Sequence, residues 1–433
     1  MGGSQRVVLY YPKFPESHHL AGDRYFPPLT VLCASAKAVE DGYDVEIVDG
    51  RLNEKPPLDA PSLGVSVMTG GQILDALQVV SSYEGVKIWG GWHPTVLPVE
   101  TARDSSVDVA VKGQGEFALP EILSGRPLRD VQGVAFKNND GQVVSTPDRA
   151  FAPIDQLPRP KWNLVEWENY VIQKDGLRMS WYYASQGCPF KCAYCCISFC
   201  QPVLSKLPPK VVKGEMQMFK ETYRVESMYF ADNTFLVNTS WGREVAEIMR
   251  SLQLKWMFQT RVPLINAMTD EQLLRLKERG AYHVDLGVES GCDEILKRMN
   301  KGITSKEAHV AINRLVKLGF SVGTYFIIGT PYETKDQAFE TFRFIDSLPS
   351  EVVKGVNYFT PYPLTDLYSS AIEEGFRPPD TLKGWGYHTI YNRLPSDPEV
   401  RAKYLSYRPK KPALSIQRVK RVTRYALNKL FPN

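Results

Sequence analysis

Twice along this chain, short apolar runs alternate with stretches of helical spacing, and a proline-bearing break separates the two series. Such alternation is the pattern of parallel sheets, because two parallel strands can be joined only by a crossover of a dozen or more residues. In the first series, strands are expected at Val7–Tyr11, Asp44–Val48, Leu63–Met68, Val86–Trp89 and Val107–Val111. Helices are expected between them at Leu29–Glu40, Ile73–Ser82 and Phe117–Leu123. This predicts a doubly wound, Rossmann-like α/β sheet. Residues 126–175 read as a connector, with a small hairpin at Gln132–Thr146 around Asn139-Asp140-Gly141 and three prolines between 153 and 160. The second series has six strand candidates: Ser180–Ser185, Ser227–Ala231, Lys255–Thr260, His283–Val288, Ser321–Ile328 and Val356–Thr360. Helical segments lie between them, so a parallel barrel or part of one is expected. With 433 residues, two or three domains are expected. The boundaries drawn are 1–150, a linker at 151–179, 180–365, and an extension at 366–433.

Glycines mark the loops after several first-series strands: Thr69-Gly70-Gly71, Gly90-Gly91-Trp92-His93-Pro94-Thr95 and Lys112-Gly113-Gln114-Gly115-Glu116. Ligands of open α/β sheets bind at the carboxyl ends of the strands, where glycine lets the backbone come close. Three such loops on one edge fit a nucleotide-like or larger flat ligand. Glycine also serves ordinary turns.

Five of the seven cysteines fall between 188 and 200. The stretch Cys188-Pro189-Phe190-Lys191-Cys192-Ala193-Tyr194-Cys195 has the spacing C-x3-C-x2-C and follows the first strand of the second series. Three thiolates on one loop can ligate three irons of a [4Fe–4S] cluster and leave the fourth open to a substrate or cofactor. A structural zinc site, the competing reading, normally offers four closed ligands as two C-x2-C pairs. Cys33 and Cys292 are expected to pack as small hydrophobes. Cys196 is expected to be a packed thiol. Cys200 is either packed, an extra ligand or a hydrogen donor.

These residues resemble the radical S-adenosylmethionine (SAM) enzymes. In that family the motif follows the first strand of a partial (βα)6 barrel, and the open iron chelates SAM, which is reductively cleaved to a 5′-deoxyadenosyl radical. The resemblance extends from 180 to about 365. It implies that Tyr194 lies near the adenine and that Asp232, in Tyr229-Phe230-Ala231-Asp232-Asn233, stands in the SAM-amine segment. Arg261 is then a partner for the SAM carboxylate, and Glu289, in Gly287-Val288-Glu289-Ser290-Gly291, binds the ribose. Ile327 and Gly329 fall in the adenine-contacting segment Tyr325–Pro331. An electron donor of the flavodoxin or ferredoxin type is implied as a partner.

The first 150 residues resemble the cobalamin-binding domain of B12-dependent radical SAM enzymes. The resemblance implies a corrin site drawn from Thr69, Gly90, Gly91, His93, Pro94, Thr95, Gly113, Gly115 and Glu116. The D-x-H-x-x-G cobalt-ligating signature is absent, so His93 is expected to make a local hydrogen bond. The subfamily includes C- and P-methyltransferases and the anaerobic magnesium-protoporphyrin ester cyclase. Methylation of an unactivated carbon is the implied reaction. The alternatives are cobalamin-free dehydration or rearrangement, as in aminoglycoside diol dehydratases, and a non-catalytic iron–sulfur or zinc protein.

After the barrel, Thr360–Thr365 and the aromatic-rich Trp385–Tyr391 are expected to close the active site. Tyr358, Tyr362, Trp385, Tyr387 and His388 are candidate substrate contacts, and His18 and His19 lie either near substrate or in solvent. No run approaches the ~18 apolar residues that span a bilayer, and Val7–Tyr11 is too short for a signal-peptide core. A cytoplasmic location is expected. The net charge is +4, but residues 408–433 hold eight basic and no acidic side chains, which leaves about −4 for the rest. A nucleic-acid partner is therefore not expected. The basic tail has approximate helical spacing; packing on the domain is favoured over contact with an anionic membrane. A small-molecule substrate is expected.

Overall fold

The structure is a computed structural model and describes residues 6–14, 26–388 and 394–407. Two seven-stranded sheets form it. The first contains β1 (Arg6–Tyr11), β2 (Asp44–Asp49), β3 (Ser62–Ser66), β4 (Val86–Gly90), β5 (Val109–Val111), β6 (Val134–Lys137) and β7 (Val143–Ser145), in the order β2-β1-β3-β4-β5-β6-β7. The first five are parallel, with β1 between β2 and β3. That order reverses direction between β1 and β3, and the crevice of a doubly wound sheet lies at such a reversal. Its strands are apolar because helices cover both faces: Val7, Val8, Leu63 and Trp89 are fully buried.

The hairpin β6–β7 belongs to this sheet rather than to a connector, because β6 pairs antiparallel with β5. Its turn uses Gly141 at φ +77°, which only glycine adopts without cost.

A short antiparallel pair, β8 (Ile172–Lys174) with β9 (Leu177–Tyr182), falls within and across the end of the expected linker and opens the second sheet. The first barrel strand therefore starts three residues earlier than its expected Ser180. The strands β10 (Ser185–Gln186) and β11 (Ser205–Lys206) form a separate clasp. Then come β12 (Ser227–Phe230), β13 (Lys255–Thr260), β14 (Ala281–Glu289), β15 (Ser321–Ile328) and β16 (Val353–Tyr358). The six strands β9, β12, β13, β14, β15 and β16 run parallel in that order and curl into a half-barrel. A continuous core joins the sheet to its outer helices, with Phe219, Phe230, Trp256 and Phe258 fully buried. Thr269, Thr304 and Thr334 each start an outer helix with a reciprocal capping box, a device worth about 1 kcal/mol per helix.

The two sheets are tied by buried polar contacts. Arg51 holds Asp49 at 2.6 Å, and Tyr170 Oη from the linker donates to the same carboxylate at 2.9 Å. The C-terminal extension divides its packing. Helix Pro398–Ser406 buries Val400 and Tyr404 in the barrel core. Helix Leu382–Gly386 instead buries Leu382 and Trp385 in the first domain, where a Cβ on Gly386 would lie 2.5 Å from Leu74. Trp385 thus does not face the barrel mouth, and Tyr387 is 56% exposed. His18, His19, Tyr391 and the basic tail lie outside the described residues.

Candidate functional site

The cysteine loop leaves the half-barrel at the carboxyl end of β9 and is closed by the β10–β11 clasp. Gly187 sits at φ +82°, and a Cβ there would strike the Val203 carbonyl, so glycine is required just before Cys188. The loop is pinned further along: Ala193 N donates to Met299 O at 2.9 Å, and Asn300 Nδ2 to Lys191 O at 2.6 Å. Cys188 Sγ lies 3.4 Å from Thr234 Oγ1, and Cys195 N closes a turn onto Cys192 O at 3.0 Å. Burial pushes the Cys195 thiol up to about 12, and the neighbouring Cys196, Cys192 and Cys188 add to the shift.

Among the described residues, no group of three His, Cys, Asp or Glu converges tightly enough to hold one metal ion. Three thiols on one loop suit a cluster, whose ligands bind different irons.

Arg261, at the end of β13, is 6% exposed and points its guanidinium at the loop. Its Nη1 donates to Cys192 Sγ at 3.4 Å, and its plane lies 3.9 Å from the Phe190 ring centre. Nη2 donates to Lys301 O, and Nε has no partner.

Glu289 ends β14 at φ +76°, a strained conformation for any residue but glycine. Its carboxylate accepts from Lys301 Nζ at 2.9 Å, and the same ammonium donates to Tyr194 Oη at 3.2 Å. Gly287 makes the room: a Cβ there would lie 2.6 Å from Glu289 Oε1 and 3.1 Å from Lys301 Nζ. Tyr194, Glu289 and Gly287 are thus brought together, and Lys301 is a member of the group that sequence reasoning missed. Ile327 joins Tyr194 in an apolar cluster with Ala193, Ile295, Met299 and Phe359.

Other expected SAM residues are turned elsewhere. Asp232 is fully buried; it accepts from Ser185 Oγ and from Ala184 N at 3.3 Å, and burial pushes its pKa up to about 7. Ser290 bonds Thr341 Oγ1 at 2.8 Å and Cys292 N at 3.1 Å. Gly329, at φ +76°, donates its N–H to Glu333, whose carboxyl burial raises to about 7. Tyr358 turns its ring towards Tyr404 at 6.3 Å. Tyr362 stays beside the loop, where burial and the Cys196 thiol push it up to about 12.

Between the two sheets lies a cavity of about 350 Å³. Its first-domain wall includes Ser66, Gly90, Gly91, Thr95, Gly113, Gly115 and Glu116, and its barrel wall includes Tyr183, Ser185, Cys200, Asn233 and Gln259. A Cβ on Gly90 would meet nothing within 4 Å, so any side chain there would enter the open space. Thr95 Oγ1 accepts from Gly113 N at 3.0 Å and holds two of the glycine loops together. Burial raises the Glu116 carboxyl. Cys200 shares a hydrogen bond with Cys196, and that bond, with burial, raises the Cys200 thiol.

Thr69, His93 and Pro94 do not line the cavity. His93 is in a helix, Trp92–Val96, rather than a loop. It is fully buried, its Nδ1 lies 3.0 Å from Thr69 Oγ1, and its ring lies 5.8 Å from Trp385. Burial, with a smaller contribution from His388, lowers its pKa to about 3. The expected local hydrogen bond is therefore present, though in a helix.

The radical SAM superfamily profile matches residues 182–345. Over 393 residues the chain is 31% identical to the anaerobic magnesium-protoporphyrin IX monomethyl ester cyclase of Rubrivivax gelatinosus, covering 84% of this chain and 69% of that one. The chain belongs to the radical SAM superfamily. An uncharacterized methyltransferase of Pyrococcus horikoshii is 28% identical over 370 residues, 80% of this chain and 78% of the relative. Among solved radical SAM structures, TsrM from Kitasatospora setae, a methyltransferase with cobalamin and a [4Fe–4S] cluster bound, superposes with a TM-score of 0.66 at 14% identity, covering 86% of this chain and 78% of that one. The cobalamin-dependent enzyme OxsB, with aqua-cobalamin and SAM bound, gives 0.64 at 18% identity, covering 86% and 55%. These two likenesses, each over 86% of the chain, show a fold shared with those two structures. No helix among the described residues is long and apolar enough to cross a membrane.

Proposed function

We propose that this chain is a cobalamin-dependent radical SAM methyltransferase that acts on an unactivated carbon of a small molecule. The observation that carries the reading is the cavity between the sheets, with the glycine strand ends on one side and the barrel mouth on the other. Its glycine-rich first-domain wall suits a flat corrin, and the residues assigned to the cluster and to SAM lie outside its lining, on the barrel side. Three half-buried thiols on one loop suit a [4Fe–4S] cluster at Cys188, Cys192 and Cys195. Gly90, Gly91, Gly113 and Gly115 leave the backbone bare where a corrin would lie, with Thr95 and Glu116 as polar contacts. Tyr194, Gly287, Glu289 and Ile327 are assigned to SAM. When bound, these groups supply the reducing electron, the radical source and the methyl donor.

The chain's own residues position and shield. The Arg261 guanidinium donates to Cys192 Sγ and orients it on the loop. Lys301 holds Glu289 and Tyr194 in one orientation, which presents a carboxylate oxygen for ribose hydroxyls. The apolar cluster behind Tyr194 and Ile327 excludes water from the adenine side. Asp232 and Ser290 are assigned as positioning residues, since their polar atoms are spent on the chain itself.

Cyclisation is the second reading, favoured by the 31% identity to the cyclase of R. gelatinosus. The test of the first reading is cofactor content after anaerobic reconstitution with iron, sulfide and hydroxocobalamin. About four irons and one cobalamin per chain are expected. Iron without cobalamin would overturn cobalamin dependence and leave dehydration or rearrangement.

A further inference from the structure

The inner wall of the half-barrel carries a charged cluster that none of these assignments uses. Alternation along β14 turns His283, Asp285 and Gly287 to the same inward face, so Asp285 lies one layer below Gly287. Asp285 Oδ1 accepts from His283 Nε2 at 3.1 Å, and Oδ2 accepts from Tyr229 Oη at 2.8 Å. Tyr325 from β15 adds a further hydrogen bond to the same carboxylate. Ser321 Oγ lies 2.8 Å from His283 Nδ1. The His283 ring is held between the Asp285 carboxylate at Nε2 and the Ser321 hydroxyl at Nδ1, and that hydroxyl can donate or accept. Among the described residues, Asp285 has no Lys or Arg partner; His283 is its one basic neighbour. Burial acts to raise the Asp285 carboxyl, but the bonds from His283, Tyr229 and Tyr325 outweigh it and hold the pKa below its ordinary value.

The strands are built to accommodate this group. A Cβ on Gly323 would collide with Asp285 Oδ1, and one on Gly355 would lie 2.7 Å from the Tyr325 ring. The layer also opens to space. Tyr325 is 41% and Tyr183 36% exposed, and Tyr183 and Gln259 line the cavity between the sheets.

We propose that this layer is the substrate-recognition site of the barrel, and that it takes a protonated amine carried on an aromatic or other apolar scaffold. Asp285 supplies a fixed negative charge, and the phenol oxygens of Tyr229 and Tyr325 have lone pairs left to accept N–H bonds. The tyrosine faces attract a cation through their quadrupoles and cover an apolar scaffold at the same time. An anionic ligand meets the same charge as repulsion. The assignment rests on the radical SAM reading for the place of the reacting carbon: Asp285 lies four residues from Glu289 along β14, about 13 Å at ~3.3 Å per residue.

The test uses three probes that share a phenethyl group, on the full chain at neutral pH: phenethylamine, its N-acetyl derivative and 3-phenylpropionate, with dissociation constants measured by calorimetry. The wild type is expected to bind the amine at least tenfold more tightly than the acid, with the neutral amide between them. Asp285→Asn should weaken the amine about tenfold or more and leave the amide within about twofold. Tyr325→Phe should cost the amine a few fold. Equal or tighter binding of the acid by the wild type overturns the proposal, and that comparison needs no variant to fold. An unchanged amine affinity in folded Asp285→Asn overturns it equally. SAM cleavage is measured separately on the same preparations. A chain that prefers the amine yet cleaves no SAM fails the enzymatic reading and not this one; a chain that cleaves SAM without preferring the amine fails this one alone.

Discussion

Replacing Lys301 with methionine should destabilise the chain far more than any surface charge removal, and the structure gives the size. Lys301 and Glu289 have side chains only 5% and 10% exposed, paired at 2.9 Å. Removing the ammonium leaves a carboxylate buried with Tyr194 as its remaining polar neighbour. Breaking a buried pair from one side costs about 3–5 kcal/mol, because the surviving charge has lost water and partner together. For a domain the size of the half-barrel, that corresponds to a fall in melting temperature of order 10 °C.

The double variant Lys301→Met/Glu289→Gln separates this cause from lost packing. With the charge gone, the glutamine amide can still bond Tyr194 Oη, and the double variant should recover about 2 kcal/mol or more relative to the sum of the single losses. Melting followed by circular dichroism on the four chains provides the cycle. Additivity within about 0.5 kcal/mol would refute the reasoning, since it would mean that Lys301 contributes volume and not charge. The same variants should lose SAM affinity together, because Glu289 is oriented by the pair.

Alanine at Cys188, Cys192 or Cys195 should abolish reductive SAM cleavage, read as 5′-deoxyadenosine formation with dithionite; retained cleavage in any one of them sinks the cluster assignment. Gly90→Leu should leave the fold and the iron content intact and lower cobalamin retention at least tenfold, because its side chain enters open space; unchanged retention would place the corrin elsewhere. Asp232 is pushed up to about 7 by burial, against an ordinary value near 3.9 when unfolded. The folded state therefore binds its proton more tightly, so the stability this group adds is complete below pH ~4 and is lost as pH rises through about 7. Asp232→Asn should flatten the fall in melting temperature across that window, and an unaltered pH profile would show that Asp232 stays ionised.

Local periodicity carried most of the architecture. The β/α rhythm of both halves, the hairpin at Asn139-Asp140-Gly141 and the cysteine loop at the end of the first barrel strand were all readable, because each depends on neighbours in sequence. What was not readable depends on pairs that only the fold brings together. Lys301 follows Glu289 by twelve residues and meets it because the helix Asp293–Arg298 returns the chain over the strand end. His93 looked like a loop residue, since Gly-Gly and a proline surround it. Gly91 at φ +96° turns the chain sharply enough for His93 N to bond Val67 O at 3.1 Å, and Pro94 then sits in a first helical turn that needs no N–H from it. Its ring is driven into the first domain's core and away from the cavity.

The cluster at Asp285 did leave a signal: His283, Asp285 and Gly287 alternate through a strand whose other positions, Val284, Leu286 and Val288, are fully buried. Two charged or polar residues and a glycine at period two, in a strand covered by helices on its other face, have no solvent to turn towards. They must line an internal space, and the chemistry of that space is the chemistry of whatever enters it. A strand that keeps an aspartate on its inward face, with glycines opposite to make room and tyrosines beside it, therefore specifies its ligand's charge before the ligand is known.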